Sequence, residues 1–334
     1  MMEGRFERAF DALDKAVASR RIPGGVLGVV DFEGNRMTRA VGSAAIVPER
    51  RPMSVDTWFD LASLSKVIFT TSRILALASE GFIDLDAPLT SVIPDFRQYD
   101  PNCWERQVTF RQCLGHQTHF PGVEPIYTYG DDPERLRAFI LQREWQKVET
   151  PVYSDINFIL LGIVLERLSG RPLRELDPGR GFAFSGDPDE TAATERCHWR
   201  GRVMCGEVHD ENCYALQGSG HAGLFGTVDA VLGFAGRLME RDFAGDPAVK
   251  LMQEPLSERR THGWERPYEG WHGGGLCSAS TIGHTGFTGT SLCIDFERGY
   301  AWTLLTNRVH PSRHFDSGIM ALRRAVSDFI NGAE

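Results

Sequence analysis

A serine and a lysine stand three residues apart in the segment LASLSK, residues 61–66. A serine hydroxyl is a poor nucleophile at neutral pH unless a neighbouring group removes its proton, and a lysine amine can be that neighbour. Residues three apart lie on the same face of a helix. Ser63 and Lys66 therefore predict a nucleophile with its own proton-handling cation, in the first turn of a helix whose free N–H groups can stabilise an oxyanion.

The residues after Ser63 support such a helix. Side chains suited to a buried stripe recur at three- and four-residue steps, and Gly81 is a natural terminator. The members of the stripe are Leu64, Val67, Thr71, Leu75 and Ala78. A serine and a lysine at this spacing also occur by chance in many chains, so the prediction depends on two further segments.

The first of these segments is PVYSD, residues 151–155, ahead of an apolar run that predicts a buried helix over 156–168. Tyr153 would then lie on a loop at the entrance of that helix. A tyrosine in such a place is ordinarily a packing residue with its hydroxyl bonded to backbone. Close to a cation its phenolate becomes less costly, and the phenolate can accept the serine proton.

The second segment is HTG, residues 284–286, which glycines surround. Alternating residues after it and a turn at 297–299 predict a hairpin with strands over about 287–306. Small residues at Thr285 and Gly286 let a ligand lie against the strand, and a backbone N–H just beyond them could pair with that of Ser63 as an oxyanion hole. Taken alone, His284 is more often a strand-end residue than a catalytic one.

In this order the three motifs resemble those of the penicillin-recognising serine hydrolases. The most similar branch contains the class C β-lactamases, DD-peptidases and family VIII esterases, with SxxK, then YxN or YxS, then KTG or HTG. Flanking segments are similar too: 114–122 resembles the LLxHxSGLP stretch of that branch, 220–229 its GGLxSTxxD loop and 304–308 its closing strand. The resemblance extends over most of residues 24–330.

The resemblance implies that Ser63 is acylated in a ping-pong acyl transfer. Lys66 would relay the proton or hold Tyr153 in an activated state, and Tyr153 would act as base in acylation and as acid toward the leaving group. How the two divide the role of base is open. The backbone N–H groups of Ser63 and Phe287 would form the oxyanion hole. The expected substrate-binding residues are Asp155, His221, His284, Thr285 and Gly286, although a structural role explains His221 equally well.

Two residues depart from the pattern of the β-lactam recognisers. Asp155 stands where many of them have asparagine; an ionised aspartate cannot donate a hydrogen bond, and its charge favours a protonated Lys66. His284 stands where the lactamases usually have lysine, and an ordinary histidine is only partly charged at neutral pH. Both differences count against an efficient β-lactamase, and both leave an esterase or a peptidase open.

The composition is that of an ordinary globular protein, with 334 residues of which 42% are hydrophobic and 24% are charged. A formal charge of −9 argues against nucleic acid or an anionic membrane as a partner. Residues 1–17 predict an amphipathic helix that lacks the apolar core of a secretory signal. We therefore expect a cytoplasmic protein that acts on a small-molecule ester, amide or β-lactam; no oligomeric state is indicated.

Seven cysteines form an odd, unevenly spaced set, which indicates reduced thiols. A zinc site is the alternative interpretation for the thiolate and imidazole ligands Cys197, His198, Cys205, His209 and Cys213. No CxxC or HxxxH spacing is present among them, so a structural role is favoured, and we expect no metal and no cofactor. His116 and His119 are likewise predicted to brace a loop rather than to react.

The resemblance implies an α+β fold of the β-lactamase/transpeptidase type. An antiparallel sheet would be built from both ends of the chain and flanked by the terminal helices, with the site in a cleft beside an inserted, mostly helical lobe. We expect residues 1–58 and 226–334 in the sheet lobe and residues 59–225 in the helical lobe. Residues 171–220, rich in glycine, proline, aspartate and arginine, predict a long irregular excursion near the site.

Local signals place several elements within that fold. A turn at 33–35 predicts a hairpin near the N-terminus. Helices are expected to open at Thr109 and near Pro133, and Thr227 is expected to cap another. A last helix is expected over about 317–330.

Three functions follow from these residues. A serine hydrolase that cleaves a small ester or amide is favoured, and a β-lactamase or DD-carboxypeptidase is the second candidate. A catalytically silent binding protein with a retained cleft is a third, disfavoured because three chemically competent motifs carry a stability cost. Transfer of the acyl group to an alcohol instead of water is open as well.

Overall fold

The structure is a computed structural model that describes residues 2–333. Within those residues the strands form one large antiparallel sheet and two small ones. In chain order the strands are β1 (Gly24–Asp31), β2 (Arg36–Ala45), β3 (Arg51–Pro52), β4 (Phe59–Asp60), β5 (Phe182–Ala183), β6 (Arg196–Cys197), β7 (Arg202–Val203), β8 (Phe225–Gly226), β9 (Thr281–Thr285), β10 (Ser291–Asp295) and β11 (Tyr300–Thr306).

The large sheet has the strand order β3-β2-β1-β11-β10-β9, so the two ends of the chain meet at the pair of β1 and β11. That pair runs antiparallel from Gly25 opposite Thr306 to Asp31 opposite Tyr300. Both strands are buried along nearly their whole length, because helices cover both faces of the sheet. The sheet built from both ends of the chain is confirmed.

The helices account for most of the remaining regular structure. A π-helical turn, Lys66–Thr71, leads directly into the second α-helix. Short 3₁₀ turns occur at Leu89–Ser91, Trp104–Gln107, Ile126–Tyr129 and Leu173–Glu175. In chain order the α-helices are α1 (Met2–Ala18), α2 (Ser72–Ser79), α3 (Phe110–Leu114), α4 (Pro133–Gln142), α5 (Asp155–Ser169), α6 (Glu211–Ala215), α7 (Val228–Phe243), α8 (Pro247–Gln253) and α9 (Ile319–Asn331).

The terminal helices α1 and α9 pack together on one face of the large sheet, and α7 packs on the sheet as well. Helix α1 buries Phe6, Phe10 and Leu13, most of the stripe predicted from the sequence. A buried side chain of this size stabilises the fold by about 1.5–3 kcal/mol. Helix α7 approaches β1 so closely that a Cβ at Gly28 would lie 2.5 Å from Val228 and 2.9 Å from Leu232.

Several predicted helix starts are confirmed by their caps. The Thr109 side chain accepts the N–H of Gln112 in a capping box that opens α3, and α4 begins at Pro133. The Thr227 side chain accepts the N–H of Ala230 and opens α7. Helix α8 is an additional element, and its signal is an aspartate cap followed by proline at the first helical position.

The predicted strand after the third motif is partly wrong. His284 and Thr285 are the last two residues of β9. Residues 286–290 then form a turn before β10 begins. The Gly286 N–H donates to the Thr290 carbonyl oxygen at 2.8 Å and closes this turn. The hydroxyls of Thr288 and Thr290 bind backbone carbonyls of the segment before Ser63, and such bonds compete with a strand ladder.

The excursion at 171–220 is mainly irregular, as predicted, and contains only β5, β6, β7, α6 and one 3₁₀ turn within the described residues. It packs against the segment before Ser63, because β5 and β4 both pair with β8. The division into a sheet lobe of 1–58 and 226–334 and a helical lobe of 59–225 stays a prediction.

In the part of the chain that the structure covers, no helix is both long enough and apolar enough to cross a membrane. All seven cysteines lie among residues 2–333, and none of them forms a disulfide there.

Candidate active site

Ser63 lies on a tight turn between β4 and the π-helical turn. The prediction that it lies inside the first helical turn is wrong, because the helix begins at Leu64. Ala62 has a φ of +48°, a left-handed conformation that costs free energy for any residue except glycine. The buried carboxylate of Asp60 accepts the Ala62 N–H at 2.8 Å and the His209 N–H at 2.6 Å. These bonds hold the turn that presents the Ser63 hydroxyl.

Lys66 is fully buried, and its amino group has three close partners. Nζ lies 2.9 Å from Ser63 Oγ, 2.9 Å from the His221 carbonyl oxygen and 2.8 Å from Asp155 Oδ1. Burial alone would lower the pKa of Lys66, but Asp155 and Tyr153 outweigh burial and raise the pKa above its ordinary value. Lys66 is therefore an ammonium ion that donates to Ser63 Oγ and to the His221 carbonyl oxygen and forms an ion pair with Asp155. The predicted effect of Asp155 on Lys66 is confirmed.

Tyr153 lies on the loop that enters α5, as predicted. Its ring centroid is 5.2 Å from Lys66 Nζ and 5.1 Å from the guanidinium carbon of Arg260. Burial raises the pKa of the Tyr153 phenol above its ordinary value, Asp155 adds to the rise, and interactions with Lys66 and Ser63 partly oppose it. The structure thus brings Ser63, Lys66 and Tyr153 together, and the positive charge needed to stabilise a phenolate is beside the ring.

His116 braces the loop that carries Tyr153. Its Nδ1 accepts the Ser154 N–H at 3.1 Å, and its ring centroid lies 4.3 Å from that of Tyr153. Burial lowers the pKa of His116 well below its ordinary value, so the ring is neutral. His119 forms a hydrogen bond through Nδ1 with the Val148 carbonyl oxygen at 2.7 Å. Both rings hold loop backbone, which matches the bracing role expected of them.

The third motif places a neutral histidine in the cavity wall. Burial lowers the pKa of His284 to about 3, and nearby Arg260 and Lys66 also disfavour a charged ring. The expectation that His284 is partly charged at neutral pH is therefore wrong, because an ordinary histidine is exposed and this one is 2% exposed. His284 supplies no positive charge for a substrate carboxylate.

Glycine is required at position 286 by the close approach of two turns. A Cβ there would lie 2.5 Å from the Leu61 carbonyl oxygen and would also collide with the Thr290 hydroxyl. Across the same contact, Thr290 Oγ1 donates to the Leu61 carbonyl oxygen at 3.0 Å and Thr288 Oγ1 to the Asp60 carbonyl oxygen at 2.8 Å. The third motif is thereby held against the turn that carries the nucleophile.

Two backbone donors remain free on these adjoining turns. Within residues 2–333, the N–H groups of Ser63 and Phe287 donate no hydrogen bond to the protein. Both residues line the same cavity. Free N–H groups that border a nucleophile are what an oxyanion hole requires.

The cavity beside Ser63 has a volume of about 600 Å³ and joins all three motifs. Of the predicted site residues, those that line it are Ser63, Tyr153, Asp155, His284, Thr285, Gly286 and Phe287. Lys66 lies behind this wall, and its amino group reaches the Ser63 hydroxyl from there.

Four arginines in the cavity wall have no counterpart in the sequence prediction: Arg260, Arg308, Arg313 and Arg323. Arg260 pairs with Glu265 at 3.2 Å, and Arg313 pairs with Glu195 at 2.6 Å. Among the described residues, Arg308 and Arg323 have no carboxylate partner. A usable signal exists for Arg323 alone, because this charge interrupts the apolar stripe of α9.

His221 contacts the site through its carbonyl group rather than its ring. Its Nε2 is 2.8 Å from Asp210 Oδ1, its Nδ1 is 2.9 Å from Ser219 Oγ, and the side chain is not among those that line the cavity. In the described part of the chain, Asp155, Asp210 and His221 form one group of three possible metal ligands within 4.8 Å of one another. The Lys66 ammonium already supplies positive charge to this group. The cysteines and histidines between 197 and 213 form no such group among residues 2–333.

Comparison with known proteins identifies relatives along most of the chain. A family model described as Beta-lactamase matches residues 6–327. The chain is 30% identical over 315 residues to an N-acetylmuramyl-L-alanine amidase of Bacillus subtilis (strain 168), covering 78% of this chain and 70% of that protein. It is 28% identical to a protein of Escherichia coli (strain K12) provisionally named D-alanyl-D-alanine carboxypeptidase, covering 76% of this chain and 70% of that protein.

Among solved structures, a β-lactamase from Sulfitobacter sp. EE-36 superimposes with a TM-score of 0.73 at 19% identity and covers 98% of each chain. At this identity the likeness concerns the fold. It confirms the predicted β-lactamase/transpeptidase-like architecture.

Proposed function

The chain belongs to the beta-lactamase family of serine hydrolases, and from that premise we propose that it cleaves a small ester or amide through an acyl-enzyme on Ser63. One observation carries the proposal: Lys66 Nζ lies 2.9 Å from Ser63 Oγ at the wall of a cavity large enough for a small molecule. Lys66, Tyr153 and the free N–H groups of Ser63 and Phe287 are the other parts of the proposed machinery.

Tyr153 is the proposed base, because Lys66 is held as an ammonium ion and has no lone pair to offer. In the reactive form Tyr153 is a phenolate stabilised by Lys66. As Ser63 Oγ bonds to the substrate carbonyl carbon, its proton passes to Tyr153 Oη, and the two N–H groups stabilise the oxyanion. The tetrahedral intermediate then collapses, the leaving group departs with the proton from Tyr153, and the acyl-enzyme remains.

Water reverses these proton transfers in the second half of the reaction. Its proton passes to Tyr153 as its oxygen attacks the acyl carbon, and Tyr153 returns the proton to Ser63 Oγ as the acid is released. An alcohol in place of water would yield an ester by the same steps. Acyl transfer therefore uses the same residues as hydrolysis.

A β-lactamase or DD-carboxypeptidase is the second candidate, and Arg308 favours it. Arg308 lines the cavity and has no carboxylate partner within the described residues, so it could bind a substrate carboxylate in place of the neutral His284. The ester or amide hydrolase remains the first candidate, because Asp155 cannot donate to an acylamino side chain as an asparagine can. The small-molecule partner and the cytoplasmic location stay predictions.

Labelling of Ser63 tests the proposal and separates it from a silent binding protein. A fluorophosphonate probe is expected to add to wild-type protein and not to Ser63→Ala. Ser79→Ala, at the end of α2, is the matched control. Hydrolysis of p-nitrophenyl acetate should fall at least about 10³-fold in Ser63→Ala. Full activity in that variant, or an unlabelled wild type, contradicts the proposal.

Mass spectrometry then decides between the two enzymatic candidates. Wild-type protein is incubated separately with p-nitrophenyl butyrate, a peptide ending in D-alanyl-D-alanine, and penicillin. Turnover of the ester with neither a penicillin adduct on Ser63 nor hydrolysis of penicillin supports the esterase. A stable penicillin adduct, addition of water to penicillin, or release of D-alanine supports the second candidate instead.

A further inference from the structure

A buried arginine of the last helix contacts the peptide unit that carries the Phe287 N–H. Arg323 is 5% exposed, and its Nη2 donates to the Gly286 carbonyl oxygen at 2.8 Å and to the Thr290 carbonyl oxygen at 2.7 Å. The Gly286 carbonyl and the Phe287 N–H belong to one planar peptide unit. A contact that fixes the oxygen of this unit therefore fixes the direction of its N–H.

The same contact strengthens the N–H as a hydrogen-bond donor. Hydrogen bonds from a guanidinium are charge-assisted and stronger than those between neutral groups. Electron density drawn toward the carbonyl oxygen leaves the amide nitrogen, so the peptide is polarised along the direction that favours an oxyanion. Arg323 thus acts on the donor through the carbonyl end of the same peptide unit.

Polar contacts hold the backbone of the residue that bears this donor. The Phe287 side chain is 49% exposed, and its ring stacks on that of His209 with the centroids 5.6 Å apart. The Gly286 N–H closes the turn at the Thr290 carbonyl oxygen, the very oxygen that Arg323 also binds. Arg308 Nε donates to the Phe287 carbonyl oxygen at 2.8 Å from the other side. Arg323 joins the two ends of the turn, and no other side chain among the described residues bonds both carbonyls.

Stability alone does not explain an arginine at this position. Its neighbours on the buried face of α9 are Ile319, Leu322 and Val326, so an apolar side chain would continue the stripe. Burial and the charge of Arg308 together lower the pKa of Arg323 to about 9, although Glu265 opposes the change. Its Nε has no partner among the described residues. A buried charge without a counter-ion costs free energy, and such costs are concentrated at functional sites.

We propose that Arg323, in the wall of the cavity, is a positioning residue of the oxyanion hole, which orients and polarises the Gly286–Phe287 peptide through its carbonyl oxygen. The inference rests on the proposed function in one respect, that the Phe287 N–H receives the oxyanion. It assigns Arg323 no contact with substrate.

Three variants test the role of Arg323: Arg323→Met, Arg323→Lys and, as a matched control, Arg324→Met on the exposed face of the same helix. Deleting an oxyanion donor outright costs roughly 10²–10³-fold in kcat, so a misaligned donor in Arg323→Met should cost about 10- to 100-fold. KM for p-nitrophenyl acetate should stay within about threefold, because the interaction strengthens only in the transition state. Arg323→Lys should have a kcat between those of Arg323→Met and the wild type. Arg324→Met should keep the wild-type kcat.

The affinity of a boronic acid that forms a tetrahedral adduct with Ser63 is a second measurement. It would not change if Arg323 had only a structural role. The affinity of this acid for Arg323→Met should fall by about the same factor as kcat/KM. If Arg323→Met does not fold, as judged by urea unfolding, the comparison is made on Arg323→Lys. Unchanged kcat and boronate affinity in a folded variant overturn the inference, as does a rise in KM alone. Fluorophosphonate labelling of wild-type Ser63 is measured separately. An unlabelled wild type contradicts the proposed function, whereas a labelled wild type with unaffected Arg323 variants contradicts only the role of Arg323.

Discussion

Lys66 Nζ and Asp155 Oδ1 lie 2.8 Å apart, with the lysine fully buried and the aspartate side chain 18% exposed. Little water separates or screens this pair, so the carboxylate stabilises the ammonium form more than it would at the surface. The charge of Lys66 in turn makes a phenolate at Tyr153 less costly. The Lys66–Asp155 pair therefore decides whether Lys66 or Tyr153 can take the proton of Ser63.

Replacing Asp155 by asparagine tests that assignment through a pH profile. Because the reactive form contains charged Lys66, loss of its protons limits activity at high pH. Asp155→Asn removes the group that holds the pKa of Lys66 up, so the alkaline limb of kcat/KM should move to lower pH by roughly 1–3 units. The measurement is the hydrolysis rate of p-nitrophenyl acetate from pH 6 upward, with the spontaneous rate subtracted.

The control for this profile is Glu211→Gln. It removes a carboxylate that lines the same cavity but pairs with Arg313 instead of Lys66. Its alkaline limb should move less than that of Asp155→Asn. An unchanged alkaline limb in Asp155→Asn would contradict the assignment, because Asp155 would then not hold the charge of Lys66.

The close approach at Gly286 predicts a loss of both stability and activity in Gly286→Ala. The added methyl would collide with the Leu61 carbonyl and the Thr290 hydroxyl, which separates the third motif from the nucleophile turn. We expect a loss of about 1–3 kcal/mol in the free energy of unfolding and more than about tenfold in kcat. Gly275→Ala is the control, since a Cβ there meets no atom within 4 Å. Equal stability of the two variants would contradict the close approach.

Asp60 is expected to position the nucleophile turn without touching substrate. Burial raises the pKa of its carboxyl group, yet both oxygens are needed as acceptors for the N–H groups of Ala62 and His209. In Asp60→Asn the amide nitrogen must face one of these N–H groups and leave it unsatisfied. Urea unfolding should show a loss of about 1–3 kcal/mol, and kcat should fall with it.

Exposed Asp56 supplies the comparison for Asp60, because Asp56→Asn should change the free energy of unfolding by less than about 0.5 kcal/mol. A fully stable and fully active Asp60→Asn would show that the turn at Ala62 is held by other contacts.

Local sequence signals predict the elements that carry the site. The three- and four-residue periodicity after Asp155 predicts α5, and the side chains of Thr109 and Thr227 predict the starts of α3 and α7. These signals succeed because the interactions behind them span only a few residues. The same reasoning fails for the π-helical turn at Lys66–Thr71, since all six of its residues are buried and no apolar stripe marks one face.

Local sequence signals do not predict interactions between segments that are far apart in the sequence. Arg323 reaches Gly286 across 37 positions, and His209 reaches Asp60 across 149. The neutral state of His284 depends on burial beneath other segments, whereas the residue type alone suggests partial charge. The motifs therefore locate the proposed nucleophile and the proposed base, while the supporting arginines and the electrostatics emerge only from the fold.

The depressed pKa of His284 predicts a specific dependence of stability on pH. The folded pKa is about 3 and the ordinary value is 6.5, so below pH 6.5 the unfolded chain binds a proton that the folded chain does not. The free energy of unfolding should therefore fall as the pH falls from 6.5 toward 3, by at most about 1.4 kcal/mol per pH unit from this group. His284→Asn cannot take up that proton.

Urea unfolding of wild type and His284→Asn at pH 7 and pH 5 measures the difference. The wild type should lose up to about 2 kcal/mol more than the variant between these two pH values. Acidic groups with lowered pKa values, such as Glu265, remain ionised in this range and cancel in the comparison, as does His116. His314→Asn, at an exposed position, should keep the wild-type slope. An unchanged slope in His284→Asn would mean that water reaches the His284 ring and that a charge forms there in the folded protein.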